Sequence, residues 1–451
     1  MQTILARLDE LGVTIPEILI PSHEIDIEKW AVVACDQWTQ DRTYWQKVEE
    51  WTHGYPSTLN MIFPEVYLGD GAGDKRVESI HHAMRSYLND NYLTNPVLMP
   101  PRNAGIFVER ECKRGIRSGF LLAVDLEKYD WRSGTNSLIK ASEETIEDRI
   151  PPRMKVREAA PLECPHIMLL IDDEENILMS LFEKLMAGAP FAYKGLLMFD
   201  SGGIQGKLVY RKNDWEFICD TLQFLYRRSV TTLGEENAFL FAVGDGNHSL
   251  ATAKAVWEKY KAEHAGEPGL EKHKARYAIA EVVNLHDSSL EFEPIHRVLI
   301  NIKAEEVIDS ACKNHNFSVR TVTGIVELIM QINNEIIPGI RYGIITHDSY
   351  TLLSCDGDEA STVYIEPVIQ DLLNRGSSKS EKTAVDYIHG VDELLRITAK
   401  TPNSVGIILP PFRRMGLFKT IAKNGPLPRK SFSLGNAEEK RFYLECRKLF
   451  C

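Results

Sequence analysis

The segment with the clearest capacity for chemistry is 244–249, which reads GDGNHS. An apolar run at 239–243 precedes it, and a helix-forming run at 249–257 follows at once. This order predicts a strand, a tight glycine turn and a helix N-terminus, with Asp245 or Asn247 as the cap. The first N–H groups of a helix lack intrahelical partners and lie at the positive end of its dipole. The turn therefore suits a bound phosphate.

His248 gives this turn a group for acid–base chemistry or for contact with an anion. The glycines alone fit a well-capped structural turn equally well, but a histidine beside Asp and Asn favours a functional site. We predict Asp245 and His248 as catalytic residues, with Asp245 also a ligand for magnesium. Gly246, Asn247 and Ser249 are predicted to bind phosphate. The segment matches neither GxxxxGK[ST] nor GxGxxG.

Three arginines recur every four residues, at Arg149, Arg153 and Arg157. Pro151 and Pro152 interrupt the series, which predicts an extended loop or a broken turn rather than a helix. Guanidinium groups brought together can bind phosphate through paired hydrogen bonds. The alternative is that they pair with the acidic residues around them, at 143, 144, 147, 148 and 158.

Asp36 follows the apolar run 30–34 and begins a polar turn. A carboxylate at a strand end can act as a general base toward a hydroxyl or bind magnesium. It could instead cap the predicted helix at 43–51, although Thr39 and Asp41 are better placed for that role.

Several further polar residues are weaker candidates. Glu163 and His166 precede the apolar run 167–171, where a histidine is more often structural than functional. Two basic pairs could complete an anion pocket or could be ordinary surface charges. These pairs are His296 with Arg297, and Arg429 with Lys430.

Composition limits the class of protein. The chain has 451 residues and a net charge of −12, which argues against a nucleic-acid binder. Its eight cysteines form no CxxC pair, so neither a zinc site nor a redox pair is indicated. It has no apolar run of the roughly 18–20 residues that span a bilayer, and its first residues lack the pattern of a signal peptide. We expect a soluble cytoplasmic protein with no membrane partner.

Short apolar runs alternate with amphipathic segments, which predicts a mixed α/β fold. Strands are predicted at 30–34, 105–108, 120–125, 167–171, 239–243, 278–283, 343–346 and 405–409. Helices are predicted at 43–51, 75–88, 176–186, 214–226, 249–262, 304–314, 323–334 and 437–449. We place a core at 1–300 and a second α/β part at 301–451 that packs on it.

The segment GDGNHSLATA resembles the DGHHR-type motif of the ParB/sulfiredoxin-like fold, which includes the free serine kinases. In that fold the helix after the motif holds nucleotide phosphates. Here Asn247 replaces the first histidine and Ser249 replaces the arginine. The resemblance implies a core of that fold around the turn. Serine kinases of the fold use an acid from the N-terminal part, a role for which Asp36 is the first candidate and Glu24 the second.

Nearly the whole chain is similar to the family catalogued as domain of unknown function 1015. The stretches that carry this similarity are WAVVACDQWTQDRTYW (30–45), EETIEDRIPPRMKVREAAPLECPHIMLLIDD (143–173), GDGNHSLATAK (244–254), EVVNLHDSSLEFEPIHRV (281–298), VDYIHG (385–390) and LPRKSFSLGNAEEKRFYLE (427–445).

The family resemblance implies an activity, because some members are regarded as serine kinases that use pyrophosphate. The expected function is therefore magnesium-dependent phosphate transfer to L-serine, from pyrophosphate or from ADP or ATP. Ser249 in place of the usual arginine keeps open an alternative, a non-catalytic module that binds a nucleotide or a phosphometabolite.

Overall fold

A computed structural model describes residues 1–71, 73–97, 102–334, 336–357, 359–377 and 382–450. The chain forms two compact units. The first comprises Met1–Leu290 together with Gly435–Cys451, and the second comprises Glu291–Leu434. The observed division thus falls ten residues before the predicted one at residue 300, and the last segment of the chain belongs to the first unit.

The first unit is built on a large mixed sheet with helices packed against it. Its helices are α1 (Gln2–Glu10), α2 (Ile27–Trp30), α3 (Arg42–Thr52), α4 (Gly73–Asn89), α5 (Ile150–Arg157), α6 (Ile177–Leu185), α7 (Lys212–Leu233) and α8 (Asn247–Glu263). Its strands up to residue 290 are β1 (Val13–Thr14), β2 (Ile20–Pro21), β3 (Val32–Val33), β4 (Leu93–Thr94), β5 (Gly105–Cys112), β6 (Gly115–Asp125), β7 (Tyr129–Asp130), β8 (Ile139–Lys140), β9 (Leu162–Glu163), β10 (Met168–Ile171), β11 (Phe191–Leu196), β12 (Gly203–Val209), β13 (Phe241–Asp245) and β14 (Tyr277–Asn284).

The order of strands in the large sheet is β11-β12-β5-β6-β14-β10-β13-β8-β7, with β1 added beside β6. Strand β10 lies in the interior of this sheet, parallel to β14 and antiparallel to β13. In this register Met168 stands opposite both Asp245 and Glu281. The apolar runs of these strands are fully buried, as expected for strands covered on both faces.

The second unit has its own sheet and its own core. Its strands are β15 (Phe292–Ile300), β16 (Ser318–Thr321), β17 (Ile340–Ile345), β18 (Tyr350–Cys355), β19 (Ala384–His389), β20 (Ser404–Ile408) and β21 (Phe432–Leu434). Its helices are α9 (Ala304–His315), α10 (Ile325–Ile332), α11 (Ser361–Gly376), α12 (Val391–Lys400) and α13 (Leu417–Asn424). The strand order is β16-β18-β17-β20-β15-β19, and β21 pairs with β15.

The last segment of the chain returns to the first unit as two short strands. These are β22 (Phe442–Tyr443), which pairs with β3, and β23 (Arg447–Lys448), which pairs with β9. The predicted helix at 437–449 is therefore wrong. The segment is buried nearly throughout, and its backbone forms hydrogen bonds to β3 and β9. These tertiary contacts override the local helix propensity of the sequence.

The mixed α/β class is confirmed, and the other predicted helices and strands form close to their predicted positions. The segment around Pro151 and Pro152 differs, because α5 forms there with the prolines in its first turn. Proline is tolerated at that place since its missing N–H needs no partner in a first turn. Among the described residues, no helix is both long enough and apolar enough to cross a membrane.

Candidate functional site

The turn between β13 and α8 has the predicted strand–turn–helix form. Gly246 is the N-cap of α8 and has a left-handed backbone, with φ +82°. A Cβ atom at this position would come within 3.2 Å of the Cα and Cγ1 atoms of Ile167. Both the backbone conformation and the close approach of Ile167, just before β10, therefore require glycine.

The predicted side-chain cap of α8 is wrong, because neither Asp245 nor Asn247 caps the helix. Asp245 accepts a hydrogen bond from the Gly246 N–H through Oδ1, at 3.0 Å. Its Oδ2 lies 3.4 Å from Nζ of the buried Lys440. Asn247 donates to Ser142 Oγ at 3.3 Å. The N-cap residue Gly246 has no side chain, so the cap itself offers no side-chain acceptor to the first turn of α8.

Two buried oxygen atoms at this turn accept no hydrogen bond from the described residues. They are Oδ2 of Asp245 and Oδ1 of Asn247. Buried oxygen atoms of this kind normally have a donor, a water or a cation as partner. Carboxylate and amide oxygens are ligands that Mg²⁺ accepts, usually completed by waters and phosphate oxygens. Oδ2 of Asp245 already has the ammonium of Lys440 at 3.4 Å, and no group of three or more His, Cys, Asp or Glu suited to a metal occurs in the described ranges, so magnesium at this turn stays a prediction.

His248 connects α8 to the segment that carries the arginines. Its Nε2 accepts a hydrogen bond from the N–H of Ile146 at 3.2 Å. Ile146 directly precedes the 3₁₀ turn and helix α5, and α5 packs against α8. The imidazole thus positions this segment beside the first turn of α8.

Replacing His248 by alanine should cost about 1 kcal/mol of unfolding free energy, the value of one hydrogen bond. It should also weaken binding of the phosphate donor, because the arginine segment loses its attachment. Thermal unfolding and titration calorimetry with pyrophosphate would measure the two effects. The exposed His53, replaced by alanine, is the control; equal donor affinity in both variants would contradict a role for His248.

His166 lies at the centre of a chain of hydrogen bonds. Its Nδ1 lies 2.7 Å from the hydroxyl of Tyr443, and its Nε2 lies 3.2 Å from Oγ of Ser249. The Tyr443 hydroxyl accepts from the N–H of Cys35 at 3.3 Å, so its own proton is available to Nδ1. The other ring nitrogen, Nε2, faces Ser249 and lies 3.9 Å from Oδ2 of Asp36.

Asp36 lies beside a second carboxylate that sequence reasoning missed, Glu65. Burial raises the pKa of Glu65, the charge of Asp36 raises it further, and Arg153 and Arg149 only partly offset both. The side chain of Asp36 is 31% exposed and accepts from Gln37 at 3.0 Å. Asp36 can therefore reach both solvent and a ligand.

Asp36 is not needed as a helix cap. Asp41 is the N-cap of α3 and accepts a hydrogen bond from the N–H of Tyr44 at 3.0 Å. This confirms that Asp41 is one of the better-placed caps.

Of the two arginines inside α5, Arg153 pairs with an acid 88 positions away in the chain and Arg157 with an acid six positions away. Arg153 pairs with Glu65, and Arg157 pairs with the buried Glu163 at 2.5 Å. Glu163 also binds Arg447 at 2.6 Å. Burial favours the neutral form of Glu163, but Arg447 and Arg157 outweigh it and lower its pKa below the ordinary value.

A half-open cavity of about 150 Å³ lies between α5, the first turn of α8 and the segment around Glu65. Among the predicted residues, Arg153, Arg157, His166, Glu163 and Ser249 line it. The rest of its wall is mostly apolar. That part includes Met61, Ile62, Phe63, Leu68, Met84, Pro152, Val156, Ala160, Leu162, Pro165 and Ile167.

The four remaining predicted phosphate ligands belong to the second unit. Arg297 is fully buried, donates to the carbonyl oxygen of Ile295 at 2.5 Å, and lies over the ring of Tyr387, 4.7 Å from its centroid. Arg429 donates to the hydroxyl of Tyr387 at 3.0 Å. Lys430 has a left-handed backbone, with φ +59°. The contacts of Arg297 and Arg429 give both arginines a structural role around Tyr387.

His296, the fourth of these residues, is buried and accepts a hydrogen bond from the N–H of Leu409 through Nδ1, at 3.2 Å. Burial lowers its pKa to about 4, and the charge of Arg297 contributes to the shift. The folded state therefore holds the ring neutral at pH values where an unfolded histidine is already protonated.

The second unit should consequently lose stability in mild acid. Between pH 7 and 5 the unfolded chain binds more protons at His296 than the folded chain, so unfolding should become easier by about 2 kcal/mol. Chemical denaturation across this range would measure the change. The variant His296→Gln keeps an acceptor for Leu409 but cannot titrate, so its free energy of unfolding should not show this decrease between pH 7 and 5. If the free energy of unfolding of the variant falls with pH as steeply as that of the unchanged protein, the assignment to His296 is contradicted.

Comparison with known proteins places the chain in a family. The model of the family described as protein of unknown function DUF1015 matches residues 19–385, and the chain belongs to that family. No curated protein sequence matches it.

Among solved structures, a free serine kinase variant in complex with AMP is similar at 9% identity and a TM-score of 0.40, over 73% of this chain and 92% of that one. A conserved hypothetical protein from Pyrococcus furiosus is similar at 7% identity and a TM-score of 0.36, over 72% and 94%. C-terminally truncated SbnI from Staphylococcus aureus is similar at 10% identity and a TM-score of 0.34, over 72% and 85%.

Proposed function

We propose that this protein is a small-molecule phosphotransferase with an alcohol as acceptor. The observation that carries the proposal is the grouping of Asp36, Arg153, His166 and Ser249 around the first turn of α8. Phosphoryl transfer needs little covalent help from a protein; it depends on positioning and on neutralisation of negative charge. The grouping offers a base, cations and hydrogen-bond donors for these tasks.

In the proposed reaction the first N–H groups of α8 hold the donor phosphate. Asp36 accepts the proton of the acceptor hydroxyl as the new O–P bond forms and the bond from phosphorus to the donor oxygen breaks. The Nε2–H of His166 and the guanidinium of Arg153 stabilise charge on the phosphoryl oxygens. The departing group is orthophosphate when pyrophosphate is the donor, AMP when ADP is the donor and ADP when ATP is the donor, and it takes up its proton from solvent.

Asp245 and Asn247 would hold a magnesium ion through the two buried oxygen atoms described above. The ion would supply additional positive charge toward the phosphates. Lys440, 3.4 Å from Asp245, provides a fixed positive charge at the same carboxylate.

The family resemblance makes free L-serine the first acceptor to test, with pyrophosphate, ADP and ATP as donors. The test is ³¹P NMR with magnesium and L-serine, with each donor offered in a separate sample. A new phosphomonoester signal would support the proposal and identify the donor. If no donor yields this signal with L-serine or with a panel of other alcohols, transfer is contradicted and the site remains as an anion-binding module.

A further inference from the structure

The cavity beside Asp36 has a mostly apolar wall. Serine has a single side-chain carbon, whereas a cavity of about 150 Å³ is close to the size that holds a benzene ring. Met61, Ile62, Phe63, Leu68 and Val156 form much of its wall. Occupying that wall with apolar atoms of a ligand would remove them from water, a favourable change.

The polar side of the cavity is suited to an amino-acid zwitterion. Glu65 and Arg153 stand together on the wall, so one carboxylate and one guanidinium face the same space. Arg153 uses one Nη atom for Glu65 and the other for the carbonyl oxygen of Arg149, and a guanidinium has five N–H donors in all. Capacity therefore remains to bind a ligand carboxylate.

Glu65 is also short of positive charge. Its carboxylate is taken from water, and Asp36 adds a second negative charge nearby. The raised pKa of Glu65 records this imbalance. A ligand ammonium placed against Glu65 would supply the missing cation.

We infer that the acceptor is a hydroxylated amino acid with a longer apolar body than serine, bound between Glu65 and Arg153 with its aliphatic carbons in the cavity. The inference rests on the proposed function for the role of the hydroxyl, which faces Asp36. The binding of the amino acid itself does not depend on transfer.

The test is titration calorimetry, without a phosphate donor, with L-alanine, L-2-aminobutyrate and L-norvaline. These amino acids differ by one methylene at each step and lack a hydroxyl. Affinity should rise about fourfold for each added methylene. L-Homoserine should likewise bind about fourfold more tightly than L-serine. Equal affinities across the alanine series would overturn the inference.

Two pairs of variants locate the effect. Leu68 lines the cavity and is 38% exposed, so Leu68→Trp should fill the mouth and abolish the rise in affinity along the alanine series. Leu5, in α1, is 37% exposed and does not line the cavity, so Leu5→Trp should leave that rise unchanged. Glu65→Gln should weaken L-norvaline binding at least tenfold, and the exposed Glu50→Gln should not change it. A rise that survives Leu68→Trp, or norvaline binding unaffected by Glu65→Gln, would overturn the inference.

The outcomes separate this inference from the proposed function. Phosphate transfer to L-serine with a flat alanine series would support the phosphotransferase and overturn the longer acceptor. The predicted rise in affinity without transfer to any hydroxylated amino acid would support the amino-acid site and overturn the phosphotransferase.

Discussion

Replacing Asp36 by asparagine should lower the rate of phosphate transfer by about 10²–10⁴-fold, the usual contribution of a general base. Asparagine has nearly the same shape as aspartate but cannot accept the hydroxyl proton. Donor binding should remain, because the first turn of α8 and Arg153 are unchanged. The ³¹P assay gives the rate, and calorimetry with the donor gives the affinity.

Asp41→Asn is the matched control for this variant. Asp41 lies five positions along the chain and caps α3, and asparagine is an equally good cap, so neither stability nor rate should change much. Full turnover in Asp36→Asn would show that Asp36 is not the base. Glu65 would then be the next candidate, since it is the neighbouring carboxylate and its pKa is raised.

The turn at the centre of the site is predictable because its information is local. An apolar run, two glycines and a helix-forming run stand next to one another, and each residue type limits the backbone of its own position. Which residue caps the helix, by contrast, cannot be read from the neighbouring residues alone. Glycine is needed there both for its left-handed backbone and because Ile167, just before β10, lies close to it.

Other parts of the site are not predictable from one sequence because their partners are far apart in the chain. Tyr443 and His166 are 277 positions apart, and Arg153 and Glu65 are 88 apart. Acidic residues beside the arginines in sequence make local pairing the simplest expectation. Folding instead brings Arg153 to Glu65, whereas Arg157 pairs with Glu163, only six positions along the chain.

The last segment shows how burial overrides pattern. Charged residues alternate with apolar ones from 437 to 449, which is typical of a surface helix. In the folded chain the charged Arg441, Glu445 and Arg447 are themselves buried and paired with one another or with Glu163 and Glu281. A sequence pattern cannot distinguish a solvated charge from one that has a buried partner on another strand.

Among the small residues of the turn, Gly246 is the one whose replacement by another small residue should disturb the site most; the variant to test is Gly246→Ala. The left-handed backbone costs an alanine about 1–2 kcal/mol. The new Cβ atom would also meet Ile167 at 3.2 Å, so the first turn of α8 has to move. Because misplacing a reactive group by about 1 Å can cost about 10²-fold in rate, the transfer rate should fall by that order.

Gly266→Ala separates the two causes. Gly266 has a similar backbone, with φ +91°, but no other described atom lies within 4 Å of a Cβ built there. Both variants should therefore lose a comparable 1–2 kcal/mol of unfolding free energy for the backbone conformation. Only Gly246→Ala should also lose affinity for the phosphate donor, because only there does the added atom push the N–H groups of α8 away from their positions. Equal donor affinity in the two variants would mean that these N–H groups do not hold the phosphate.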